Sequence, residues 1–337
     1  MSKFIIIGEN IHTTRIVKRS GKKVHVFKDG LEAVKYFVDG EERYLKVPEH
    51  FTKTQPYQLG NLKHFMIAVW KGLNGNLSES QEGVDYITYE IKRQEKFGAD
   101  YLDLNVDEVS HRLNEQKSSM KWLVETVQEI SNKPLSIDSS NPEIIKVGLS
   151  SYKGFQGKVL LNSLALERPE TLSLALDYDA RVIVSAASES GMPNSSDERV
   201  KNIIKLVDMC LKKGIKIEDI FIDPLIFPVS VNANYVKHVF DAIEDIRKIF
   251  GDKINITGGI SNVSFGLPKR KMINQIFVKL GIDKGLNSGI IDPTQLILKE
   301  INSIDMNTKQ SQLVQNLLLG EDEYAMEYIS AYRSGDL

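Results

Sequence analysis

Short apolar runs, each closing on a polar residue, recur along the chain with helix-patterned sequence between them, and this alternation limits the fold more than any other feature. The runs are Phe4 to Gly8, Tyr101 to Asn105, Leu135 to Asp138, Val159 to Asn162, Arg181 to Ser185, Ile220 to Asp223, Ile254 to Thr257 and Leu286 to Ile291. They read as buried strands, because a strand covered on both faces has no need of polar alternation. From the second onward they start roughly 22 to 39 residues apart, which is the spacing of repeated βα units. Helical patterning is clearest over Glu82 to Phe97, Met120 to Ile130, Ser195 to Lys213, Asn232 to Phe250 and Arg270 to Leu280, where apolar residues return every three or four positions. Eight such units predict an α/β protein in the form of a closed TIM (β/α)8 barrel.

An open doubly wound sheet uses the same units but gathers its polar residues around one topological switch. Here Asn105, Asp138, Asn162, Ser185, Asp223 and Asn262 fall at or just after the carboxyl ends of six different predicted strands, the face on which barrels build their sites. That distribution favours the barrel. The first interval is too long for one unit, which predicts an inserted subdomain over residues 16–74, after the first strand. Val24 to Phe27, a Lys28-Asp29-Gly30 turn, and Tyr44 to Val47 beyond Gly40-Glu41-Glu42 suggest short strands joined by tight turns. Leaving the first strand at its carboxyl end, the insertion is expected on the catalytic side. At the other terminus, Gln310 to Leu319 and Glu321 to Arg333 predict two extra helices within residues 309–334. They offer Leu313, Leu317, Leu318, Tyr324, Met326 and Tyr328 as contacts for a homodimer. The whole of 1–337 otherwise reads as a single barrel domain.

With Lys and Arg at 43 against 45 Asp and Glu, the net charge of −2 supplies no positive field for nucleic acid, so a small substrate or a protein partner is expected. Cys210 is the only cysteine, which leaves no intramolecular disulfide and fits a reducing cytoplasm. Met1-Ser2-Lys3 runs into only five apolar residues, too few for a signal peptide or a membrane span.

Asp138, Asn162 and Asp223 end otherwise apolar strands and can converge within one barrel mouth, where buried polar groups need partners. Any one of them alone could cap the following helix. Two carboxylates and a carboxamide match the donor edge of a reduced pterin, a fused guanidine-like system. No clustered histidines accompany the carboxylates, so a protein-held metal is not expected. Of the six histidines, His12 alone follows the first strand closely enough to reach the mouth, while His25, His50 and His64 belong to the insertion. Cys210 lies in a helical apolar run and reads as core. Gly258 to Gly266 follows the seventh strand and lets backbone approach a ligand, but it matches neither dinucleotide nor nucleotide-phosphate fingerprints.

Six ordered segments carry a resemblance: Ile7-Gly8-Glu9-Asn10, Gly98 to Val106, Ile137-Asp138-Ser139-Ser140-Asn141, Leu161-Asn162-Ser163, Ile222-Asp223-Pro224-Leu225 and Gly259-Ile260-Ser261-Asn262-Val263-Ser264. Together they resemble the pterin-binding methyltransferases, a family that includes methyltetrahydrofolate:corrinoid/iron-sulfur protein methyltransferase and the folate domain of cobalamin-dependent methionine synthase. Its fold is related to that of dihydropteroate synthase. The match covers most of residues 3–10 and 85–300. The resemblance implies methyl transfer between N5 of methyltetrahydrofolate and the cobalt of a corrinoid (cobalamin) held by a partner protein. It implies that Asp138, Asn162, Asp223 and Arg270 bind the pterin and that Asn262 reaches N5 as the catalytic residue. Glu9, Asn105, Ser185, Ser261 and Asn274 extend the implied pocket. Where dihydropteroate synthases resemble Ser-Arg-Lys after the seventh strand, this chain has Ser261-Asn262-Val263, without the cations that a pyrophosphate leaving group needs. It also carries Asn10 and His12 where the family commonly has an arginine and an asparagine.

Overall fold

The computed structural model describes residues 3–337; Met1 and Ser2, which open the segment read above against a signal peptide, lie outside the described residues. The elements run β1 (Ile5–His12), β2 (Val17–Lys18), β3 (Val24–Val26), β4 (Glu32–Val38), β5 (Glu41–Lys46), α1 (Glu49–Thr52), α2 (Gln55–Gln58), β6 (Asn61–Leu62), α3 (His64–Asn74) and α4 (Leu77–Lys96). The βα repeat proper follows with β7 (Tyr101–Asn105), α5 (Leu113–Ile130), β8 (Leu135–Asp138), α6 (Pro142–Ser151), β9 (Leu160–Leu164), α7 (Thr171–Asp177), β10 (Arg181–Ser185), α8 (Ser196–Lys212), β11 (Ile220–Asp223), α9 (Asn234–Phe250), β12 (Asn255–Ile256), α10 (Arg270–Lys284) and β13 (Ser288–Ile291). After it come α11 (Leu298–Ser303), α12 (Lys309–Leu319) and α13 (Met326–Ser334).

One eight-stranded sheet has the order β12-β11-β10-β9-β8-β7-β1-β13. Its end strands also meet: Ile290 N donates to Gly258 O at 2.9 Å and Asn287 N to Ile256 O at 3.3 Å, so the ladder closes as a (β/α)8 barrel. Every strand of the expected repeat is present, with shifted ends. β1 runs four residues past Gly8, because the chain stays paired after its apolar stretch ends: Asn10 and Ile11 are buried and Thr13 N donates to Asn105 O at 3.1 Å. α4 starts at Leu77 rather than Glu82, because Asn76 and Glu79 form a reciprocal capping box that sets the start one turn earlier.

By its contacts the chain divides into two compact units, Gly8–Leu160 and the remainder, Leu161–Leu337 with the residues up to Ile7. In Gly8–Leu160, β7 and β8 pair in parallel under α4, α5 and α6. Leu102, Leu104, Leu135 and Ile137 are fully buried, as are Ile87, Ile91, Leu123 and Val127 from the helices. Helix α6 packs so close to β8 that a Cβ on Gly148 would lie 2.5 Å from Ile137 Cγ2, so only glycine fits there. The insertion belongs to this unit. It holds an antiparallel meander, β3-β4-β5, a two-stranded pair, β2-β6, and short helices leading into α3. Ala33, Val34, Tyr36 and Leu45 form its buried side, and Tyr36 meets Tyr86 of α4 edge-on at 5.3 Å. Arg19 braces the meander with a bidentate ion pair to Glu32 at 2.7 and 2.8 Å.

In the other unit β10, β11 and β12 pair in parallel. Val182 to Val184 and Ile220 to Ile222 lie beneath Ile203, Leu206, Val239, Ile243, Ile273 and Phe277, and Phe240 stacks on Phe277 at 5.1 Å. The terminal helices pack onto this unit. Leu317, Leu318 and Tyr328 are buried there and Tyr328 donates its hydroxyl to Pro268 O at 3.0 Å, so these three of the expected dimer contacts face their own chain. Tyr324 and Met326 remain exposed. No helix among the described residues is long and apolar enough to cross a membrane.

Candidate active site

Parallel register decides which side chains become neighbours at the strand ends. In one unit the last residues of β7 and β8, Asn105 and Asp138, are direct partners; in the other the last residues of β10 and β11, Ser185 and Asp223, are. The register thus pairs two of the candidate site residues in each unit.

In Gly8–Leu160 the group centres on Asp138. Asn105 Nδ2 donates to Asp138 Oδ2 at 2.8 Å, and His12 Nε2, from the end of β1, reaches the same oxygen at 2.9 Å. Asn105 has no freedom to turn over, because its Oδ1 accepts Asp107 N at 2.9 Å. Both donors thus fall on Oδ2, and Oδ1 takes no hydrogen bond from the described residues. Asp107 in turn accepts Ser139 Oγ at 2.5 Å and Ser140 N at 2.9 Å, tying the loop after β7 to the loop after β8. Asp103 lies two residues before Asn105, buried, and His12, Asp103 and Asp138 bring one donor or acceptor atom each within 4.8 Å of one another. Burial alone would lower the His12 pKa, but the bond to Asp138 and the charges of Asp138, Asp103 and Glu9 outweigh it and hold the ring above its ordinary value. A carboxylate oxygen can only accept, so Nε2 is the donor in this contact. Glu9 accepts Arg15 Nη1 at 3.3 Å.

In the other unit Asp223 Oδ1 accepts Leu225 N at 2.8 Å, in a turn where Leu225 adopts φ of 64°. Burial pushes the Asp223 carboxyl up to about 6, against the Leu225 N–H and the charge of Arg199, which favour ionisation. Arg199 is fully buried on α8: Nε donates to Pro224 O at 2.9 Å, Nη1 to Ser195 O at 2.9 Å and Nη2 to Leu225 O at 3.4 Å. It clamps the turn that Asp223 begins. Burial lowers its own pKa to about 10. Ser185 Oγ accepts Ala187 N at 3.4 Å, and Asn162 is half-buried within β9.

Asn262 sits on a single 3₁₀ turn, Ile260–Ser264, with its side chain exposed. The glycines before it allow close approach: a Cβ on Gly259 would lie 3.0 Å from Asn262 Nδ2, and one on Gly258 3.2 Å from Asp223 Oδ1. Arg270 braces this turn, donating Nε to Ser264 Oγ at 3.0 Å and Nη2 to Ser261 O at 2.6 Å. Asn274, one helical turn further on, is buried with no hydrogen-bond partner for its Oδ1 among the described residues.

The family model described as pterin binding enzyme matches residues 78–292. This chain belongs to the pterin binding enzyme family. Among curated relatives of this pterin binding enzyme, the methylcorrinoid:tetrahydrofolate methyltransferase of Eubacterium limosum is 30% identical over 282 residues, covering 81% of this chain and 98% of that protein. Among solved structures, dihydropteroate synthase from Xanthomonas albilineans in complex with 7,8-dihydropteroate aligns with a TM-score of 0.52 at 14% identity, over 90% of this chain and 95% of that one. The dihydropteroate synthase of Stenotrophomonas maltophilia aligns at 13% identity with the same TM-score, over 67% and 86%. At these identities the structural likeness establishes the barrel fold alone.

Sequence reasoning passed over Asp103, Asp107 and Arg199. Arg199 carried a readable signal: with Ile203, Leu206 and Cys210 it falls on the apolar face of its helix, where a charge needs a reason. Asp103 carried one too, as a carboxylate inside an otherwise apolar strand.

Proposed function

We propose that this pterin binding enzyme transfers a methyl group between N5 of methyltetrahydrofolate and the cobalt of a corrinoid carried by a separate protein. The observation that carries the reading is the asymmetric carboxylate of Asp138: Asn105 and His12 occupy Oδ2, and Oδ1 is left as an acceptor for a donor-rich ligand edge. Asp138, Asn162 and Asp223 bind the pterin, and Glu9, Asn105 and Ser185 complete its surroundings. The relative from Eubacterium limosum, named for methylcorrinoid and tetrahydrofolate, supports this substrate pair.

Asn262 acts on N5. A tertiary amine is a poor leaving group, and an amide that donates more strongly as electron density returns to N5 stabilises the transition state above the ground state. The corrinoid supplies the cobalt centre that takes or gives the methyl group. Arg270 holds the turn that carries Asn262 through Ser264 Oγ and Ser261 O, and Ser261 and Asn274 extend the pterin pocket. Arg270 has two donors committed to that turn, which disfavours a dihydropteroate synthase-like reaction needing cations for a pyrophosphate.

Calorimetry with methyltetrahydrofolate and a spectroscopic assay with reduced cobalamin test the reading. Asp138→Asn is expected to weaken folate binding by about 1.5–3 kcal/mol, the worth of one charge-assisted hydrogen bond. Asn262→Ala is expected to keep folate affinity within about tenfold while lowering turnover by a larger factor. Tight folate binding with no methyl transfer to cobalamin would instead indicate a non-catalytic pterin-binding subunit. We further propose a cytoplasmic homodimer using the exposed Tyr324 and Met326; light scattering showing only monomers at micromolar concentration would reject the dimer.

A further inference from the structure

We propose that His12 is a positioning residue for Asp138, holding its Oδ2 through a proton kept on Nε2 so that Oδ1 is the oxygen presented to the ligand. The inference rests on the pterin reading of Asp138 and extends it to a residue outside the ligand contacts. Its first support is geometry. The His12 ring is held at both nitrogens, Nε2 at 2.9 Å from Asp138 Oδ2 and Nδ1 at 2.6 Å from Thr14 Oγ1. A hydroxyl both donates and accepts. It accepts from Nδ1–H when the ring is cationic and donates to bare Nδ1 when the ring is neutral, so Nε2 keeps its proton in both states. With Asn105 Nδ2 on the same oxygen, the carboxylate cannot rotate without losing two hydrogen bonds.

The charged surroundings act in the same direction. The groups facing His12 are Glu9 on its own strand, Asp103 on β7 and Asp138 on β8, all carboxylates, while Arg15 is paired with Glu9. They favour the ring's proton, and raising the pH first removes the one on Nδ1, whose place Thr14 fills.

The test uses the full chain treated with a chelator, with methyltetrahydrofolate titrations between about pH 7 and pH 9, above the Asp223 transition. His12→Ala is expected to weaken folate binding by about tenfold or more, as a raised KM with kcat little changed, because the lost contact serves ground and transition states alike. His12→Gln, whose amide can donate to Oδ2, is expected to bind within about threefold of the original chain. Thr14→Val should bind normally at the lower pH and lose affinity as the ring becomes neutral, because its proton is then free to leave Nε2. Nitrogen-15 NMR of the imidazole, with His12→Gln to assign the signal, is expected to show Nε2 protonated across the range without any ligand. His12→Ala binding folate like the original chain, while Asp138→Ala does not, would overturn the positioning role and leave the pterin reading standing. Unchanged binding by Asp138→Ala would overturn the pterin reading itself, and the NMR signal would still report whether His12 holds the carboxylate. A neutral ring protonated on Nδ1, or affinity lost on chelation, would replace the proton with another tautomer or a cation and end the proposal.

Discussion

At the scale of single residues, Asp223, proposed above as a pterin ligand, carries a cost in the empty protein. Burial pushes its carboxyl up to about 6, above the value near 3.8 expected when unfolded. Between these values the folded chain holds more protons than the unfolded one, so this group's favourable contribution is present at low pH and is lost as pH rises through about 6. Urea titrations from about pH 4 to pH 7 should show that decline, and Asp223→Asn should flatten it and be the more stable protein at the upper end. Parallel curves for the two proteins would show that burial does not hold the carboxyl neutral. The ionised carboxylate is the better acceptor for a pterin edge, so folate affinity should rise over the same range and fail to do so in Asp223→Asn.

At the scale of elements, the Ile260–Ser264 turn is a small rigid part whose shape is set by two glycines before it and one arginine after it. Gly259→Ala would place a methyl 3.0 Å from Asn262 Nδ2 without violating the backbone, since Gly259 has φ of −72°. It should therefore lower turnover several-fold by displacing Asn262 while leaving the melting temperature and folate affinity close to the original. An equal fall in folate affinity would mean that the turn touches the pterin itself. The turn also marks how far the sequence could be read. The βα repeat was legible because buried parallel strands and amphipathic helices leave strong periodic patterns, and the strand-end positions of Asp138 and Asp223 followed from it. The role of Arg270 was not legible: its partners, Ser264 Oγ and Ser261 O, depend on how a tight turn folds back on the following helix. His12 was seen as a residue able to reach the site, but its hydrogen bond to Asp138 joins positions 126 residues apart, and only the register of β1 brings them together. The start of α4 lies outside the apolar pattern, which begins only after the Asn76–Glu79 box that begins the helix.

At the scale of the whole molecule, the insertion is part of the architecture of its unit. Tyr36 packs on Tyr86 and lies 5.9 Å from Tyr89, both on α4, so the meander covers a helix of the barrel repeat. Replacing Arg19 to Val47 with a short Gly/Ser linker should therefore lower stability by at least about 2–3 kcal/mol, the scale of uncovering one large apolar side chain. Denaturant titration measures it, and unchanged stability would make the meander an appendage. If the insertion also guides a carrier protein, the shortened chain should lose more activity with a protein-bound corrinoid than with free cobalamin.

The two in-register pairs that end the strands, Asn105 with Asp138 and Ser185 with Asp223, bear on how such an enzyme can change over time. Each pair is the last rung of a hydrogen-bonded ladder, so its spacing is inherited from the sheet and owes little to the loop that follows. Loops beyond those rungs can be lengthened, shortened or exchanged while the carboxylates stay where the ladder puts them. The elements from β2 to α3 lie beyond such a rung, after a strand whose last residue, His12, reaches Asp138. A lineage built this way can alter what approaches its chemistry without re-inventing the chemistry.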